Sequence, residues 1–281
     1  MDPELLRLPA GPVDLRAIPT DATPGFDGKK AEGRAALLTI GEELADLQER
    51  LWAEGRVGGS PRRVLLVLQG MDTSGKGGTL RHTVGLVDPQ GVRITSFKAP
   101  TEEEQTHDFL WRIECALPDP GYLGVFDRSH YEDVLIARVR ELAPPDEIER
   151  RYDAIVDFER RLVESGTSIV KVMLHISAAE QKERLLARLD DPTKHWKFNP
   201  GDIDERTRWP AYREAYEAAL ERTHTDAAPW YVVPADRKWY RDLAIAHLLL
   251  ATLRGLDPQW PPADFDVTHE RARLTGEKPV A

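Results

Sequence analysis

Leu65-Leu-Val-Leu-Gln-Gly-Met-Asp-Thr-Ser-Gly-Lys-Gly-Gly-Thr-Leu-Arg-His82 decides the fold. Its apolar opening runs without interruption into glycine, as a strand buried on both faces should. The pattern Gly70-x-x-x-x-Gly75-Lys76 then leads into a helix-compatible stretch. Strand, glycine loop and helix in that order form a phosphate cradle: backbone N–H groups converge on an anion, and the helix N-terminus adds positive potential. Gly70, Gly75, Lys76, Gly77, Gly78 and Thr79 are the candidate phosphate-binding positions, with Lys76 acting as a point charge on the oxygens. Two features are unusual. Asp72 places a carboxylate inside a loop built for anions, and Gly77 stands where a Ser or Thr hydroxyl ordinarily ligates Mg²⁺. Without a metal Asp72 would repel phosphate. With Mg²⁺ between them, carboxylate and phosphate oxygens make a hard, all-oxygen set. Asp72 is therefore expected to bind metal or to orient an acceptor.

Working outward, residues 1–30 are rich in Pro, Gly and Asp and lack a hydrophobic period, which predicts a loosely held N-terminal arm. Apolar positions from Ala36 to Trp52 recur at helical spacing. Strands are predicted over Val64–Leu68, Val92–Phe97, Tyr122–Phe126, Ile169–Ile176 and Trp230–Val233. Helices are predicted over Gly77–Leu86, Glu102–Leu117, Asp146–Ser165, Ala178–Leu189, Trp209–Thr223 and Trp239–Leu253. Strands separated by helical crossovers imply an α/β fold: a P-loop kinase-like three-layer α/β/α domain over 31–256, with a five-stranded, mostly parallel sheet. Residues 257–281 are left as a C-terminal extension.

Asp127 closes the third predicted strand at the carboxyl edge of the sheet, where ligands bind in open α/β folds. It is the Walker B arrangement, offering a second carboxylate to the metal, and Arg128 beside it suits charge that develops during transfer. Between two helices, about 184–208, lies a polar segment carrying Arg184, Arg188, Lys194, Lys197 and Arg208, expected to be a basic helical lid. Arg81 and Lys98 extend the positive path.

The 281 residues carry a formal charge of −10, which opposes general binding to nucleic acid or an acidic membrane. A local basic path still suits a strongly acidic substrate. The single cysteine, Cys115, has no intramolecular partner and sits at helical spacing with Leu110 and Trp111, which predicts a buried structural thiol. No signal peptide or membrane span is apparent, so the chain is expected to be cytoplasmic.

Gly70-Met-Asp-Thr-Ser-Gly-Lys-Gly-Gly78, Thr95-Ser-Phe-Lys-Ala-Pro100, Phe126-Asp-Arg-Ser-His-Tyr-Glu-Asp133, Asp191-Pro-Thr-Lys-His-Trp-Lys-Phe198 and Ala228-Pro-Trp-Tyr-Val-Val-Pro-Ala-Asp-Arg-Lys-Trp239 together resemble the second family of polyphosphate kinases. The resemblance implies reversible transfer of the terminal phosphoryl group of inorganic polyphosphate to a nucleotide, with Mg²⁺ or alternatively Mn²⁺. It implies that Asp72, Lys76, Asp127 and Arg128 are catalytic, with Asp72 and Asp127 at the metal, and that the protein is a homo-oligomer. Tyr131-Glu132 stands where the diphosphate-using branch usually has Tyr-Asn, so Glu132 is the candidate specificity residue, favouring AMP as well as ADP as acceptor. The alternatives are an ATP-dependent kinase of a nucleotide or small metabolite, and a nucleotide-binding module without turnover.

Overall fold

The computed structural model describes residues 1–276. Helix α1 (Lys30–Arg56) leads to strand β1 (Arg63–Gln69), the loop, and α2 (Lys76–His82). Then come β2 (Val92–Ser96), α3 (Trp111–Cys115), β3 (Leu123–Asp127), α4 (Ile136–Val139), α5 (Pro145–Glu164) and β4 (Thr167–His175). The segment α6 (Ala178–Leu189), a 3₁₀ turn (Pro192–Lys197) and α7 (Gly201–Thr207) precede α8 (Trp209–Thr223), β5 (Trp230–Pro234), α9 (Lys238–Leu256) and α10 (Val267–Gly276).

The five strands are parallel, in the order β2-β3-β1-β4-β5. Val64 to Leu68 at the centre are buried, which explains the unbroken apolar run. Register places Leu68 opposite Asp127, and the Arg128 amide donates to Leu68 O at 3.0 Å. The glycine loop and the end of β3 thus leave the same edge side by side. On the outer layers, Leu44 and Leu51 of α1 are fully buried, each burial stabilising by about 1.5–3 kcal/mol. α1 packs along α9, where Gly33 lies under the Trp239 ring; a Cβ there would come within 2.4 Å of that ring.

Three expectations are corrected. The helix expected over Glu102–Leu117 is broken into a 3₁₀ turn (Glu104–Thr106) and α3. Asp108 restarts the chain between them by accepting from the Leu110 amide, and Arg112 is drawn inward to Lys98 O and Asp133. Cys115 is exposed, because the short α3 turns its last residues to solvent. The N-terminal arm is held rather than loose. Leu6, Leu8 and Leu15 are buried, the Leu8 amide donates to Trp230 O at 2.9 Å, and His175 Nε2 donates to Leu15 O at 2.9 Å. Of the C-terminal extension, 267–276 forms α10, and its last five residues lie outside the described chain.

Candidate active site

Gly70 and Gly75 have φ of 151° and 116°, backbone conformations that side chains rarely adopt. A Cβ on Gly70 would also meet Leu174 O at 2.7 Å. Thr73, at φ 64°, holds a left-handed turn without being glycine. Lys76 Nζ reaches back to Gly70 O at 2.9 Å, and Tyr216 Oη accepts from the Gly70 amide at 3.1 Å. Burial, with the Arg128 guanidinium, pushes the Lys76 ammonium below its ordinary pKa against the pull of Asp72, Asp127 and Glu132. The Gly78 and Thr79 amides both donate to Gly75 O, at 2.8 and 3.0 Å, in the first turn of α2. Thr79 is itself fully buried, whereas Gly77 is exposed with open space where a side chain would stand.

Arg128 also has a positive φ, 66°, immediately after β3. Its Nη2 donates to Asp72 Oδ1 at 2.7 Å and its Nη1 to Glu132 Oε2 at 3.4 Å. Asp72 of the loop is thereby joined to Arg128 and Glu132, 56 or more positions further along the chain, in one cluster. Burial raises the Glu132 carboxyl pKa in spite of Arg128 and Lys76. Beneath the cluster, Glu159 of α5 accepts from Lys171 Nζ at 2.6 Å and from Tyr131 Oη at 2.7 Å. His130 Nε2 lies 3.3 Å from the same carboxylate. These groups are all nearly inaccessible to water and anchor the segment that carries Arg128 and Glu132.

The loop divides two cavities. One, of about 700 Å³, is lined by Thr73, Gly75 and Gly78 on the loop side and by Arg81, Arg184, Arg188, Lys194 and Lys197. Arg34, Lys238 and Arg241 complete its positive wall; among the described residues Asp242, tied to Arg241 at 2.6 Å, is its one carboxylate. The other, of about 180 Å³, is lined by Gly70, Asp72, Arg128 and Glu132, with Asp202, Glu205, Arg140, Arg206, Tyr212 and Tyr216 opposite. The basic segment after α6 thus divides: Arg188, Lys194 and Lys197 face the larger cavity, and α7 faces the smaller.

Some predicted residues are not gathered there. Lys98 is exposed and lines neither cavity, and Arg208 turns to Val139 O at 3.3 Å. Arg184 reaches the basic cavity, but its guanidinium is turned inward. Its Nε donates to Glu180, its Nη1 to Thr73 O and Ser74 O, and its Nη2 to Ala235 O and Asp236 O. Conversely, Arg34, Lys238, Arg241, Tyr212 and Tyr216 were not singled out as site residues. Lys238 and Arg241 lie in or just beyond a recognised motif, but Arg34 sits on a helix with no motif to mark it.

Asp72 lies in the loop, and Asp127 ends β3 opposite Leu68 at the same sheet edge but lines neither cavity. Among the described residues no group of three or more His, Cys, Asp or Glu has metal-holding geometry. Mg²⁺ keeps several waters and takes phosphate oxygens, so one or two protein carboxylates suit it. The donor set fits a metal that arrives with a phosphate substrate.

A central strand, glycine loop with lysine, strand-terminal aspartate and parallel 2-3-1-4-5 sheet define a P-loop kinase-like protein. The family model described as Polyphosphate kinase 2 (PPK2) matches residues 27–260, and the chain belongs to that family. It is 47% identical over 90% of its length, and 93% of the relative's, to an AMP/ADP-polyphosphate phosphotransferase of Meiothermus ruber. It is 41% identical to an ADP-polyphosphate phosphotransferase of Rhodopseudomonas palustris, over 89% of this chain and 88% of that one. Among solved structures, polyphosphate kinase 2 from Arthrobacter aurescens TC1 superposes with a TM-score of 0.95 at 56% identity, covering 99% of this chain and 98% of that one.

Proposed function

We propose that this protein is a polyphosphate-dependent nucleotide kinase, transferring the terminal phosphoryl group of inorganic polyphosphate reversibly to ADP and also to AMP. The observation that carries the reading is the pair of cavities meeting at Asp72–Gly75. One is walled by cations from α1, α2, α9 and the segment after α6; the other is walled by carboxylates, arginines and tyrosines. A long polyanion suits the first. Arg81, Arg188, Lys194, Lys197, Lys238 and Arg34 would hold it by charge, which lets a chain of net charge −10 bind a very acidic substrate. A nucleotide acceptor suits the second, its phosphate near Arg128 and Arg140 and its base against the tyrosines.

With the chain end and acceptor brought in from opposite sides of the loop, an acceptor phosphate oxygen attacks the terminal phosphorus in line. Lys76 and Arg128 stabilise the charge on the equatorial oxygens. The attacking oxygen is already ionised, so no general base is needed. Asp72 and Asp127 would hold Mg²⁺, which would supply charge neutralisation during transfer. Asp72 must exchange its Arg128 partner for metal or acceptor, which ties the placement of Arg128 to substrate arrival. Glu132, held by Arg128 and desolvated, narrows the acceptor side and favours the additional use of the shorter monophosphate. The active assembly is a homo-oligomer working in the cytoplasm.

Purified protein incubated with Mg²⁺, long-chain polyphosphate and either AMP or ADP is expected to make ADP and ATP respectively, resolved by anion exchange. Asp72→Asn should lower both rates by about 10²-fold or more, as loss of a preorganised electrostatic group does. Turnover with ATP as the sole effective donor would overturn the reading.

A further inference from the structure

Arg184 borders the basic cavity, yet a guanidinium has five N–H donors and all have protein acceptors here. The acceptors are Glu180 Oε1 (2.7 Å), Thr73 O (2.8 Å), Ser74 O (2.9 Å), Ala235 O (2.5 Å) and Asp236 O (3.1 Å). The side chain is 7% exposed. Three positions earlier on the same face of α6, Gln181, 4% exposed, donates from Nε2 to Asp72 O at 2.9 Å. Two buried side chains on adjacent helix turns therefore hold three consecutive loop carbonyls, those of Asp72, Thr73 and Ser74.

We infer that Gln181 and Arg184 are positioning residues that aim the phosphate loop, and that the N-terminal arm is the outer end of the same device. The inference rests on the proposed phosphoryl transfer and assigns the loop's geometry to particular groups. In a planar trans peptide the C=O and the following N–H point in opposite directions. Fixing the Asp72 and Ser74 carbonyls on α6 therefore turns the Thr73 and Gly75 amides away from α6. Thr73 needs such a hold, because its left-handed conformation is costly for a threonine.

The hold continues outward. Asp236, whose carbonyl takes Arg184 Nη2, accepts through Oδ2 from Thr20 Oγ1 at 2.6 Å and through Oδ1 from the Ser177 amide at 2.9 Å. The Asp236 amide in turn donates to Thr20 O at 3.1 Å. Arm, β5 end, α6 N-terminus and loop are thereby one hydrogen-bonded chain. α6 continues into Arg188 and the basic turn, so the element that carries the cations also sets the loop.

The test compares Arg184→Lys, Arg184→Gln, Gln181→Met and Thr20→Val in the full-length protein. A positioning role predicts that Lys is nearly as poor as Gln, since one ammonium cannot satisfy five separated acceptors. Each Arg184 variant should lose about 10²-fold in kcat, the cost of a misplacement of about 1 Å, with KM for polyphosphate changed less than about threefold. Thr20, which lines neither reacting cavity, should lose less, and Thr20→Val/Arg184→Gln should lose no more than Arg184→Gln alone. Hydrogen exchange of the peptide spanning 70–76 should rise in Arg184→Lys and Thr20→Val while the peptide of β3 stays unchanged. A polyphosphate KM that rises steeply in Arg184→Gln and is restored by Arg184→Lys would overturn the inference in favour of a substrate ligand. Unchanged exchange at 70–76 would overturn it as well. Wild-type protein that fails to turn over with polyphosphate refutes the proposed reaction instead, and the exchange data still decide the positioning role.

Discussion

Lys171→Met would expose how the catalytic segment is supported. Lys171 Nζ is fully buried and makes three contacts: Glu159 Oε2 at 2.6 Å, Thr223 O at 2.7 Å and Tyr131 Oη at 3.0 Å. Methionine fills the space but leaves the Glu159 carboxylate buried without its cation. Breaking a buried pair from one side costs about 3–5 kcal/mol. Tyr131 and His130 still reach Glu159, so the lower end, about 3 kcal/mol, applies. For a chain of this size that lowers Tm by about 6–12 °C. Burial alone would raise the Glu159 pKa, but Lys171 and His130 hold it below the usual carboxylate range. A depressed carboxyl contributes stability that is complete above the unfolded value, near 4.3, and lost as pH falls through the lower folded value. The penalty of Lys171→Met should therefore be largest at neutral pH and shrink in acid. Urea unfolding followed by circular dichroism from pH 8 down to about pH 3 measures it. Lys171→Met/Glu159→Leu should recover at least half the loss, since apolar replacement of a buried pair is often neutral. A loss below about 1 kcal/mol at pH 7 would refute the claim that this pair supports the segment.

Gly78→Ala should cost about 1.5–3 kcal/mol and weaken polyphosphate binding: its Cβ would lie 2.5 Å from Arg241 Nη2, and moving that guanidinium breaks its charged bonds to Asp242. Gly77→Ala, one residue earlier in open space, is the matched control, and thermal melting separates the two. Glu132→Gln should raise stability at neutral pH, because burial lifts the folded pKa of this carboxyl. A group raised in the folded state contributes stability below its unfolded pKa and loses that contribution as pH rises through the folded one. The advantage of the glutamine should thus vanish below about pH 4, and an equal advantage there would contradict it.

The chemistry-bearing stretches were legible because their meaning is local. An apolar run into Gly70, a left-handed glycine at 75 and a lysine at the next position specify strand, turn and helix start whatever surrounds them. Asp127 at the end of an apolar strand reads the same way, and α6 and α8 fall at the boundaries their periodicity predicts. The 102–117 stretch misled because helical spacing there competes with the Asp108 cap and the inward pull on Arg112, groups set by β2 and the turn after β3.

What the sequence determined by itself was the five strands, the phosphate loop and the identity of its charges. Tertiary structure alone decided which charges work together. Strand order brought Asp72 within hydrogen-bond reach of Arg128, and helix packing added Arg34 and Arg241 to the basic wall. It also turned Arg184 onto the loop carbonyls and tied the arm to Asp236. Local propensity acts over a few residues, whereas four of the five acceptors of the Arg184 guanidinium lie on chain segments 51 to 111 positions away.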